Sequence, residues 1–75
     1  MPSISLHNQK IQVSLKDVDV RDIDFETNLY FKGMNAIFDE GSNSFTFEKP
    51  PNLTHLLRVL TDTREFFEGK GWNTT

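Results

Sequence analysis

The pair Pro50-Pro51 separates two hydrophobic periods that cannot belong to one kind of element. Before it, apolar residues alternate with polar ones: Ile4 and Leu6, then Ile11, Val13 and Leu15, then Val18 and Val20, then Ile23 and Phe25. A period of two is the spacing of one face of a β-strand. After it, Leu53, Leu56, Leu57, Leu60 and Phe67, joined by Val59, Thr63 and Phe66, recur at the i, i+3, i+4, i+7 spacing of an amphipathic helix. Neither proline can donate to a sheet ladder, and Asn52 is a favoured cap for a helix starting near Leu53. The fold class this predicts is α+β: an antiparallel β-meander of four to five short strands within residues 3–48, then one C-terminal amphipathic helix over about 52–68, packed on one sheet face. Gly69 is read as the residue that ends the helix. The polar tail, residues 69–75, frays unless the indole of Trp72 docks.

The apolar positions change parity between Leu6 and Ile11, between Leu15 and Val18, and between Val20 and Ile23, so one flat strand cannot bury them all. His7-Asn8-Gln9-Lys10 reads as a hairpin turn and Arg21-Asp22 as a strand break; residues 15–28 forming one long bent strand is the alternative. Thr27 through Phe31 reads as a third extended stretch, turned at Gly33 by a positive φ. Residues 36–48 read as a hairpin whose loop is Asp39-Glu40-Gly41-Ser42-Asn43.

Seventy-five residues suffice for one domain with one small core, since a chain of this size buries only about 60% of its unfolded surface. Seven phenylalanines and a net charge of only −3 exclude a disordered chain. The absence of cysteine removes disulfides, thiolate metal sites and cysteine nucleophiles, and suits a reducing compartment. The N-terminal residues lack the basic and apolar regions of a signal peptide, and no apolar run reaches the roughly 18 residues of a membrane span. The expectation is a cytoplasmic protein without a membrane partner.

Charge is concentrated in mid-chain. Residues 17–40 hold seven carboxylates against Arg21 and Lys32, whereas residues 1–16 hold only Lys10 and Lys16. Asp17, Asp19, Asp22 and Asp24 begin like a calcium loop, but the sixth position from Asp17 is Asp22 instead of glycine and the twelfth is Asn28 instead of glutamate. A solvated strand face, with Val18, Val20, Ile23 and Phe25 inward, explains the same spacing. His7 and His55 cannot complete a zinc site without thiolates. No serine stands in a nucleophile elbow, and Lys70 between Gly69 and Gly71 lacks the spacing of a phosphate loop. No cofactor, metal or catalytic group is expected. Stacking of bases on Tyr30, Phe31, Phe45 and Phe47 is opposed by the acidic field, so direct nucleic-acid binding is not expected either.

Protein recognition remains. One helix and one sheet face cannot hide nine aromatic residues, and exposed apolar patches mark interfaces. The functional expectation is a non-catalytic protein-interaction module, a small regulator, inhibitor or assembly subunit. Its partner-binding residues are Asp19, Asp22, Asp24, Tyr30 and Phe31, and its partner is another protein, a second copy of itself in a homodimer, or both. The alternative is an acidic mimic of nucleic acid, of the phage anti-defence type, that occupies a basic groove.

Overall fold

The computed structural model describes residues 2–74, apart from the Val20 side chain. Strand β1 (Ser3–His7) turns through Asn8 and Gln9 into β2 (Lys10–Ser14), and Asn8 takes the positive φ of 55° that the tight turn demands and that asparagine tolerates. A 3₁₀ turn (Val20–Asp22) leads to helix α1 (Phe25–Lys32). The short β3 (Ile37–Asp39) and β4 (Ser44–Glu48) form the second hairpin, and helix α2 (Leu53–Gly69) closes the chain. The architecture is therefore α+β, with a four-stranded antiparallel sheet and a C-terminal helix.

The sheet order is β1-β2-β4-β3, so the second hairpin docks on β2 through its later strand. Register explains the choice. Ile11 lies opposite Phe47 and Val13 opposite Phe45, which brings the four buried apolar strand side chains onto one face. β3 carries only Phe38 toward that face, where it tilts against Phe45, and it takes the outer edge. Consecutive pairing, as in a simple meander, would put this short strand next to β2.

Both helices cover the same face. Phe31 of α1 stacks on Phe45 at 4.4 Å between ring centroids and stands 6.0 Å from Phe67 of α2. Ile11, Val13, Leu15, Phe31, Phe45, Phe47 and Phe67 form the buried core, with Leu56, Val59, Leu60 and Phe66 of α2 packed against it. The opposite sheet face is polar apart from the exposed Ile37 of β3, which lies opposite Thr46. It presents Ser3, Ser5, Gln12, Ser14 and Thr46, with Lys10 paired to Glu48 across β2 and β4.

The largest departure from the sequence reading is α1, which occupies the stretch expected to be extended over Thr27–Phe31. Asp24 caps it by accepting hydrogen bonds from the Thr27 backbone N–H and hydroxyl, each at 2.9 Å. Residues 18–25 are likewise neither two strands nor one bent strand: Val18 and Ile23 pack on the core from either side of the 3₁₀ turn, and Phe25 is exposed. The expected inward position of Val20 lies outside the described residues. Gly33 has an ordinary helical φ, and Asn35, at φ 57°, turns the chain back toward β3.

Helix α2 begins as expected, with Asn52 Oδ1 accepting from the His55 N–H, but it runs through Gly69. The left-handed residue is Gly71, at φ 82°, and the Trp72 N–H bonds to the Phe67 carbonyl at 3.0 Å. This is a Schellman closure, in which the residue after the glycine makes an apolar contact back on the last turn. Trp72 makes that contact, 5.8 Å from Phe67 between centroids, and the tail is docked at least that far.

Candidate protein-interaction surface

Because residues 17–24 fold as turns, their carboxylates do not line up along one strand face. Asp19 and Asp24 have separate local roles. Asp19 accepts from the Arg21 backbone N–H at 2.9 Å and pairs with its guanidinium at 3.0 Å, and these bonds hold its pKa below the usual carboxylate range. Asp22 is exposed on the 3₁₀ turn, with its N–H bonded to the Asp19 carbonyl. Asp24 faces the other way, toward Lys70.

Lys70 Nζ lies 2.6 Å from Asp24 and 3.2 Å from Glu26, with the ammonium 5.5 Å from the centre of the Phe66 ring. This clamp ties the N-terminus of α1 to the C-terminal end of α2, and each partner complements the local helix dipole. The Lys70 bond, then the two bonds from Thr27, depress the Asp24 pKa to about 2. Asp24 is therefore a structural residue as well as an acidic one.

The clamp has a testable pH signature. In the unfolded chain Asp24 takes up a proton near its ordinary pKa of 3.8, while the folded carboxylate stays ionised to about 2. Stability from this group is complete above pH 4 and is lost as pH falls from about 4 to about 2. Asp24→Asn keeps a competent cap and removes the charge. Its urea midpoint is expected to fall less than the wild-type midpoint over that interval, and parallel curves would show that the clamp contributes nothing.

The aromatic half of the expected site is placed differently again. Phe31 is fully buried, which corrects its assignment as a contact residue: a ring in the middle of the core touches no partner. Tyr30 is half-buried in the seam between the helices, stacked on Phe66 at 4.4 Å with its hydroxyl 3.1 Å from Thr63 Oγ1, and burial pushes its pKa up. The exposed apolar residues of this region are instead Phe25 and Leu29.

What the fold does assemble is a depression of about 240 Å³ lined by Asp17, Asp19 and Asp22 together with Pro2, Gly71 and Trp72. Asp19 and Asp22 of the expected set meet there; Asp24, Tyr30 and Phe31 do not. Trp72 joins the surface through the Schellman turn, and the glycine-then-tryptophan order at the helix end is the sequence signal that could have placed it. Among the described residues no group of three or more metal-binding side chains converges, and no helix is long and apolar enough to cross a membrane. No protein-family model, curated protein or solved structure matches the chain.

Proposed function

We propose that the protein is a non-catalytic protein-interaction module of the cytoplasm whose acidic depression receives a basic side chain of a protein partner. The observation that carries this reading is the juxtaposition of Asp17, Asp19 and Asp22 with the half-buried Trp72. Carboxylates attract a guanidinium or ammonium, an indole face favours a cation above it, and the apolar wall accepts the side-chain stem. Tyr30 acts at one remove, by fixing the seam between the two helices. The alternative of a nucleic-acid mimic calls for a longer run of regularly spaced carboxylates, and the diversion of Asp24 to Lys70 shortens that run.

Titration with an octa-arginine peptide, followed by Trp72 fluorescence, tests the reading. Binding that weakens with salt and drops about tenfold or more in Asp19→Asn/Asp22→Asn is the expected result, since each lost close charge pair is worth of order 1 kcal/mol. Asp39→Asn/Glu40→Gln, an equal change of charge at the end of β3 and the start of the loop after it, should keep most of the affinity. An equal loss in both double variants would reduce the effect to general acidity and sink the proposal.

A further inference from the structure

We infer that β1 is a self-complementary docking edge, along which a second copy of this chain adds antiparallel to give a continuous eight-stranded sheet. The Lys49 N–H bonds to the Gln9 carbonyl and the Leu15 N–H to the Asn43 carbonyl. In an antiparallel ladder the residues that bond to one neighbour alternate with those that bond to the other. Gln9, Ile11, Val13 and Leu15 thus turn their backbone groups toward β4, while Lys10, Gln12 and Ser14 turn theirs toward His7, Ser5 and Ser3 of β1. What remains on the outer side of β1 is the N–H and C=O of Ile4 and of Leu6.

Open edges are normally blocked by charge, proline, a bulge or shortness. The other edge, β3, has three residues and ends in Asp39. β1 has five residues, no charged side chain, no proline and an unbroken register from Ser3 to His7. Its sequence, Ser-Ile-Ser-Leu-His, also has a polarity pattern that reads the same in both directions. With Ser5 on a two-fold axis, Ile4 of each copy lies opposite Leu6 of the other and the free backbone groups close four hydrogen bonds. The two apolar residues meet on the helix-covered face, and serine meets histidine on the polar face.

Charge and apolar area both favour a second copy as the occupant. Two chains of net charge −3 repel where their residues 17–40, which hold the excess, face one another. The β1–β2 hairpin bears no carboxylate, and its Lys10 is paired with Glu48. An edge strand alone falls short of the roughly 800 Å² per partner of a stable interface. Helix α2 makes up the difference: its Thr63 and Phe66 flank meets α1, which lies over β4, so the opposite flank, with Leu53 and Leu57, overlooks the β1 side. Leu53 and Leu57 are 68% and 55% exposed, and Leu6, on the helix-covered face of β1, is 50% exposed.

The inference rests on the reading of the chain as an interaction module but uses none of its carboxylates, so a failure here leaves the peptide titration standing. Light scattering on the eluting full chain should give twice the 8.7 kDa of one chain at low and high salt. Hydrogen exchange should find the Ile4 and Leu6 amides slowed on the order of 100-fold relative to an unstructured peptide, although both face outward in a single copy. Leu6→Lys, at a half-exposed position, should restore a folded monomer in which both amides exchange freely. A wild-type monomer overturns the proposal, and so does a dimer in which the Ile4 and Leu6 amides remain unprotected.

Discussion

Phe31→Ala is expected to leave the protein largely unfolded at 37 °C. The ring has no exposed surface and meets four others: Phe45 face to face at 4.4 Å, Tyr30 edge-on at 5.2 Å, and Phe47 and Phe67 at 6.3 and 6.0 Å. Removing a buried phenylalanine side chain costs about 3–5 kcal/mol, combining lost transfer energy with the cavity left behind. Small domains have total stabilities near the low end of about 5–15 kcal/mol, so this one change consumes most of the margin. Collapse of the site cannot relieve it, because the cavity would be walled by both helices and the sheet. Urea denaturation at 10 °C and at 37 °C checks the loss. A midpoint within about 0.3 M of wild type, given a urea slope of about 1 kcal/mol/M for so small a chain, would place Phe31 outside the core and return it to the surface role its sequence position suggested.

That misplacement shows where sequence reading works on this chain and where it does not. Ile4, Leu6, Ile11 and Val13 alternate because β1 and β2 have one covered and one polar face, and the pattern was legible for that reason. Leu56, Val59, Leu60, Phe66 and Phe67 were legible as one helix face because α2 packs against a broad core, whereas Leu53 and Leu57 of the same stripe stay exposed. Helix α1 offers no such stripe. Its buried residues are only Thr27 and Phe31, while Phe25 and Leu29 occupy the same i, i+4 spacing on an exposed face, with Phe25 76% exposed. Two helical rows offset by two residues imitate the alternation of a strand. The end signals were present: Asp24 as a cap, Glu26 in the first turn, Lys32 in the last and Gly33 after it. They mark a helix by its termini, where the periodicity of so short a segment says little.

The candidate surface was half legible for a related reason. A run of aspartates separated by apolar residues gives its net charge away, but the direction of each carboxylate depends on hydrogen bonds that sequence spacing does not encode. Lys70 is 46 residues from Asp24, and only the antiparallel return of the chain through α2 brings them together. Without that pair Asp24 would stand beside Asp22 as one more surface charge, as the strand reading supposed.

Phe67→Ala joins these strands of argument, because Phe67 belongs to the core and to the surface at once. Its ring, fully buried, lies 6.0 Å from Phe31 on one side and 5.8 Å from Trp72 on the other. The truncation is again expected to cost about 3–5 kcal/mol, and the double variant with Phe31→Ala less than the sum of the two, since the rings share one cavity. The second consequence distinguishes the two positions. The apolar contact that completes the Schellman closure disappears in Phe67→Ala, so Trp72 loses its support in whatever folded population remains. At 10 °C the tryptophan emission of the folded baseline should therefore shift to the red in Phe67→Ala and stay near wild type in Phe31→Ala, and arginine-peptide affinity should fall with it. Equal emission in the two variants would mean that Trp72 is held by something other than Phe67, and that the acidic depression does not depend on the core beneath it.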